Sequence, residues 1–161
     1  MTTSNRIVLS SDHAAIALRQ AVAAHVVARG WVAVDIGPTT PESTHYPAHG
    51  EAAARRVASG DCRFGIVLCG TGQGIMMAAN KIGGIRCGVC ADTFSARMIR
   101  QHNDANMLAP GRARGGRRPR ARDRGCVSLR GLRRRPPCGA GGDDRGAGDL
   151  AAATIRDRAR A

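Results

Sequence analysis

At 161 residues the chain is long enough for one compact domain with a real core. No apolar run approaches the ~18 residues of a membrane span, and the short polar start, Met1 to Arg6, does not read as a secretory leader, so a soluble, cytoplasmic protein is the expectation. The net charge of +13 is uneven: residues 1–109 hold 10 Lys and Arg against 7 Asp and Glu, and residues 110–161 hold 15 Arg against 5 Asp, so the basicity belongs to the tail. Arg6-Ile-Val-Leu-Ser10 is a short β-branched run that predicts a first strand. Ala14 to Ala28 carries Ile16, Val22 and Val26 at helical spacing and is stopped by Gly30. Trp31 to Asp35 predicts a second strand, closed by Gly37-Pro38. Pro47 to Ser59 reads as a helix with proline at its start and Gly60 beyond its end. Phe64 to Cys69 is continuously apolar, as expected of a strand buried on both faces. A helix over Gln73 to Lys81, a strand over Ile85 to Cys90, a helix over Thr93 to His102 and the start of a fifth strand at Asn106 to Ala109 complete the pattern.

Alternating strands and helices joined by right-handed crossovers predict an α/β fold, a Rossmann-like three-layer sandwich with a mostly parallel sheet of about five strands. The predicted domain is 1–109. Residues 110–161 form an Arg/Gly-rich tail with few large apolar residues, a composition typical of disorder. In such sheets ligands sit outside the carboxyl ends of the strands. Three clusters fall there: Ser11-Asp12-His13, Cys69 to Gly74, and the loop after Cys90.

Six cysteines (Cys62, Cys69, Cys87, Cys90, Cys126, Cys138) without a secretion signal read as free thiols. Cys87 and Cys90 form a C-x-x-C inside an apolar stretch, which fits two thiols on or beside a buried strand better than a redox pair or a zinc site.

Cys69-Gly70-Thr71-Gly72-Gln73-Gly74 is the strongest chemical feature. A strand ends at the cysteine and a helix begins among glycines that let the backbone bend and turn several N–H groups toward one point. Such a turn favours an anion, and a thiol beside it could act as a base next to an oxyanion hole. The spacing matches neither the dinucleotide fingerprint nor a Walker loop, and on spacing alone a plain glycine turn is equally open. His102 closes a helix and serves either as a cap or as a proton donor near neutral pH. Asp12 could cap the following helix or hold a substrate hydroxyl. Tyr46, in His45-Tyr46-Pro47, could be no more than a packed loop aromatic.

Taken in order, S-D-H-A, Y-P, G-I-V-L-C-G-T-G-x-G-x-x-x-A-A-N-K, G-I-R and H-N-D-A-N resemble the ribose-5-phosphate isomerase type B family and its relatives over residues 6–109. The resemblance implies an aldose–ketose isomerase interconverting ribose 5-phosphate and ribulose 5-phosphate, with allose 6-phosphate, galactose 6-phosphate or a tetrose phosphate as alternative substrates. It implies Cys69 as the base shuttling a proton between C1 and C2, Gly70, Gly72, Gln73 and Gly74 in the anion-binding turn, and His102 as proton donor in ring opening, with Thr71 beside the base. It further implies that Asp12, His13, Tyr46 and Asn103 contact substrate. The family needs no metal or organic cofactor, and it forms dimers that share residues between sites. His45 departs from the pattern, because the family carries Asp before Tyr-Pro.

The family continues with a strand reading roughly G-x-R-V-V-G, a helix and an E-G-G-R segment whose arginines bind phosphate. Here Pro110-Gly-Arg-Ala-Arg-Gly-Gly stands instead. Read from the second base of each back-translated codon, Asp123 to Gly148 can encode I-V-D-A-F-L-S-A-A-F-E-G-G-R-R-A-G-R-V-E-M-I-E-A-L-E, and residues 111–116 can encode G-A-R-V-V-G. A shift of reading frame near Ala109–Pro110 is therefore expected, and no phosphate-binding role passes to any tail arginine. Two further readings are an inactive remnant and a nucleic-acid-binding protein acting through the tail. The tail's lack of aromatic residues for stacking weighs against nucleic acid as a partner.

Overall fold

The computed structural model describes residues 5–111, so the predicted tail from residue 112 onward, with its reading-frame expectation, lies outside the described residues. Five parallel strands, β1 (Arg6–Ser11), β2 (Val32–Asp35), β3 (Phe64–Leu68), β4 (Cys87–Gly88) and β5 (Met107–Leu108), form one sheet in the order β2-β1-β3-β5-β4. Four helices connect them: α1 (Ile16–Ala28), α2 (Tyr46–Ala58), α3 (Gln73–Ala79) and α4 (Thr93–Asn103). The predicted α/β class and parallel five-stranded sheet are found. Among the described residues no helix is long and apolar enough to cross a membrane.

The alternation of side chains along each strand sorts the helices into two layers. Ile7 and Leu9 of β1 and Phe64, Ile66 and Leu68 of β3 pack with Val22 and Val26 of α1. Leu108 is in register with Ile66 and packs on Ala96 and Ile99, which puts α4 on that same face. Val8, Val67, Cys69 and Met107 face the other way, against Ala53, Ala54 and Val57 of α2 and Ile75 and Ala79 of α3. Gly50 lets α2 and α3 touch, since a Cβ there would sit 2.8 Å from the Ile75 carbonyl oxygen.

Several boundaries differ from expectation. The residues before α1 form a separate 3-10 turn, His13–Ala15, because Asp12 accepts a hydrogen bond from Ala14 N at 2.9 Å and caps it. The strand expected over Ile85 to Cys90 pairs only at Cys87–Gly88. It is an edge strand, and the Asn80 side chain takes the place of a neighbour: Nδ2 donates to Cys87 O and Cys87 N donates to Oδ1, each at 2.8 Å. That bidentate pair also explains why α3 stops at Ala79 rather than at Lys81. Beyond β5, Pro110 is buried and Gly111 forms a parallel bridge with Cys69.

Candidate active site

At the carboxyl end of β3, Cys69 is 5% exposed and points toward the layer of α2 and α3. The chain then turns back through Gly72, whose φ of +80° is left-handed and suits glycine. The turn brings the Gly72 N–H to 3.1 Å from Cys69 Sγ, donating to the sulfur. Thr71 Oγ1 accepts from Gln73 N at 3.3 Å and closes the turn over the start of α3.

Two backbones meet here without room for side chains. A Cβ on Gly72 would collide with the Ala109 carbonyl oxygen, and one on Gly111 would lie 2.5 Å from the Thr71 carbonyl oxygen. The glycine turn is thus moulded against the continuation of β5. Gly70, in contrast, has nothing among the described residues within 4 Å of its Cβ position, which leaves the backbone beside the thiol open on that side. On the far side of the turn the Tyr46 ring lies flat enough against Gly74 that a Cβ there would be 2.6 Å from Cε2.

The end of β1 supplies the opposite wall. Asp12 N donates to Leu68 O at 3.1 Å, which ties the Ser11-Asp12-His13 turn to the strand leading to Cys69. Asp12 is buried, and His13 Nδ1 accepts from Thr44 N at 3.1 Å, so the loop before α2 folds over the histidine. Asp12, His13, Tyr46, Cys69, Gly70, Thr71, Gly72, Gln73 and Gly74 therefore gather at one end of the sheet. Among the described residues no group of three or more His, Cys, Asp and Glu side chains is placed to hold a metal ion.

His102 and Asn103 are not brought to that cluster. α4 leaves the carboxyl end of β4 and delivers the chain to the amino end of β5, where Asn106 O accepts from Gly65 N and Asn106 N donates to Arg86 O. Asp104, in the left-handed conformation that ends the helix, pairs with Arg86 and Arg100. Arg100 in turn lies over the ring of Phe64, the first residue of β3. The exposed His102 thus stands at the amino edge of the sheet, a strand length of ~16 Å or more from Cys69 at about 3.3 Å per residue.

Two residues that sequence reasoning passed over belong to the cluster. His49 lies one helical turn after Tyr46 on α2, a spacing that puts the two on one face. Burial holds its pKa below 6.5; the Asp12 carboxylate opposes that shift and the Arg19 guanidinium adds to it. Arg19 of α1 is 2% exposed beneath the Ser11 turn. Burial holds the other described thiols toward their protonated form: it pushes Cys87 up to about 12 and also raises Cys90 and Cys62.

A parallel α/β sheet that offers a thiol, a glycine turn and polar side chains at its strand ends defines a small-molecule enzyme site of the Rossmann-like type. A family profile described as Ribose/Galactose Isomerase matches residues 7–118, and the chain belongs to that family. It is 44% identical over 106 residues to ribose-5-phosphate isomerase B of Escherichia coli (strain K12), covering 66% of this chain and 71% of that protein. It is 37% identical over 105 residues to galactose-6-phosphate isomerase subunit LacB of Clostridium acetobutylicum, covering 65% and 61%. The structure of Clostridium thermocellum ribose-5-phosphate isomerase B superimposes with a TM-score of 0.65 at 47% identity, covering 66% of this chain and 72% of that one.

Proposed function

We propose that this isomerase interconverts ribose 5-phosphate and ribulose 5-phosphate through a cis-enediolate, with Cys69 as the base. The observation that carries the reading is the Cys69 sulfur held at 3.1 Å from the Gly72 N–H at the mouth of a glycine turn left open at Gly70. As a thiolate, Cys69 removes the proton from C2 of the open-chain aldose while negative charge develops on the C1 oxygen. The turn's N–H groups stabilise that oxygen. The O2 hydroxyl proton passes to O1, and the sulfur-bound proton is delivered to C1 as the C2 carbonyl forms, which regenerates the thiolate. No electrons leave the substrate, so the reaction itself calls for no redox cofactor. Asp12 and His13 hold hydroxyls, Tyr46 lines the opposite wall, and Thr71 assists at the ring oxygen.

Ring opening assigned to His102 requires a second copy of the chain, because one chain keeps His102 and Cys69 at opposite edges of its sheet. A two-fold dimer that sets the amino edge of one sheet against the carboxyl edge of the other supplies His102 and Asn103 in trans. The phosphate-binding arginines of the family fall on residues outside those described.

The test is turnover of ribose 5-phosphate, allose 6-phosphate, galactose 6-phosphate and a tetrose phosphate by the 161-residue chain and its Cys69→Ala variant. Ribose 5-phosphate is expected to turn over best, and loss of the base is expected to reduce kcat by about 10²–10⁴. Preference for another sugar corrects the substrate, and full activity in Cys69→Ala removes Cys69 from its role.

A further inference from the structure

Arg19 is a fully charged side chain in a place where charge is costly, since it is 2% exposed among the apolar contacts of α1. Its guanidinium nevertheless has three separate partners. One terminal nitrogen donates to Ser11 Oγ at 2.7 Å, the other donates to the Pro38 carbonyl at 2.8 Å, and Nε lies 2.8 Å from an Asp35 carboxylate oxygen. Asp35 also accepts from Gly37 N at 3.0 Å, so the turn after β2 is wrapped around the ion pair. Gly37 is glycine for space, since a Cβ there would occupy the position of the guanidinium itself. The chain of bonds does not end at Ser11, whose hydroxyl donates onward to the Asp12 carbonyl oxygen at 2.8 Å.

We propose that Arg19 is a positioning residue of the isomerase, acting through Ser11 to hold the Asp12 turn in the orientation that binds a substrate hydroxyl. The inference rests on the reading of Asp12 as a substrate contact. A planar fork can donate to Ser11 and Pro38 at once while Nε stays beside the Asp35 carboxylate, whereas an ammonium of the same charge presents a single point. The end of β1 and the turn after β2 converge on the guanidinium. The backbone of Asp12 is then fixed on one side by Leu68 O and on the other by the Arg19–Ser11 relay. The side chain can keep its cap to Ala14 and still offer its remaining oxygen at a constant place.

The experiment is a double-mutant cycle on the full chain with ribose 5-phosphate, reading KM and kcat by turnover, Kd by calorimetry and fold by thermal melting. Ser11→Ala cuts the relay while leaving the Asp35 and Pro38 contacts. It is expected to raise KM and Kd by about 5- to 30-fold with kcat within about twofold, and to have no further effect when added to Asp12→Asn. Arg19→Lys keeps the buried charge and drops the fork, and is expected to match Ser11→Ala. Gly37→Ala displaces the guanidinium from the other side and is expected to do the same with Arg19 in place. Additive effects of Ser11→Ala and Asp12→Asn, or an unchanged KM and Kd in Ser11→Ala beside a raised value in Asp12→Asn, overturn the inference alone. Unchanged values in Asp12→Asn, or no binding by the unmodified chain, overturn the reading of Asp12 and the inference with it.

Discussion

Replacing Gly72 by alanine separates the glycine turn's shape from its chemistry. At φ +80° an L side chain costs about 1–2 kcal/mol. The new Cβ would also overlap the Ala109 carbonyl oxygen and lie 3.1 Å from Gly111 N, so the backbone after β5 must yield. Forcing such a shift adds roughly 1–3 kcal/mol, and the stiffer unfolded chain returns ~0.4–1 kcal/mol. The net is a loss of about 1–5 kcal/mol from a stability typically of 5–15 kcal/mol. At a urea slope of about 2 kcal/mol/M the unfolding midpoint falls by roughly 0.5–2.5 M. The movement also takes the Gly72 N–H away from the sulfur, and a displacement on the order of 1 Å at a reacting group is expected to lower kcat about 10²-fold. Gly70→Ala is the control: nothing among the described residues stands within 4 Å of its Cβ position, so its stability is expected to change by no more than ~0.5 kcal/mol. A Gly72→Ala protein as stable as Gly70→Ala would refute the account of the turn as moulded against β5.

The remaining predictions concern pH, assembly and the tail. Burial holds His25 and His49 below 6.5 in the folded chain, so both favour their neutral forms there; Arg29 adds to the shift at His25 and Arg19 to that at His49. Their stability contribution is complete above 6.5 and is lost as the pH falls below it, because the unfolded chain then binds more protons. Urea midpoints should fall from about pH 7.5 to about pH 5.5, with a shallower fall in His49→Gln; an equal fall in that variant would refute the assignment. If sites are shared across a dimer, Cys69→Ala and His102→Ala chains, each inactive alone, should recover about a quarter of full activity when unfolded and refolded together in equal amounts, since each mixed dimer holds one intact site. No recovery, with mixed dimers present, would place both residues in one chain. A chain restored to the second-base reading frame after Ala109 should bind ribose 5-phosphate more tightly than the 161-residue chain. Equal affinity would remove the phosphate-binding role of that segment.

The sheet was legible because its strands are uniform: Phe64 to Leu68 is buried at every residue, and only a strand covered on both faces tolerates that pattern. The order β3-β5-β4 was not legible, since nothing local in Met107–Leu108 states which neighbour it joins. The short β4 was over-read because apolar residues run through Ile85 to Cys90 while their outer hydrogen bonds go to the Asn80 side chain. At the site, the glycine turn announced itself through residue types that have few other uses. Arg19 did not, since an arginine on an amphipathic helix reads as solvated until the fold buries it. His102 was found by its motif, yet its distance from Cys69 depends on the path of α4, which only the topology reveals. The reason Gly72 must be glycine was equally hidden, because the contact that demands it is with Ala109 and Gly111, far along the chain.

The central claim, that Cys69 carries a proton between C1 and C2, is tested most directly in deuterium oxide. Ribose 5-phosphate is incubated with the 161-residue chain and followed by proton NMR, beside Cys69→Ala chains shown to be folded by thermal melting. The account predicts ribulose 5-phosphate from the unmodified chain, carrying at C1 either the proton taken from C2 or a deuteron acquired when the sulfur-bound proton exchanges with solvent, with product and exchange both reduced about 10²–10⁴-fold in Cys69→Ala. Product formation with undiminished deuterium incorporation in the absence of the thiol would contradict it.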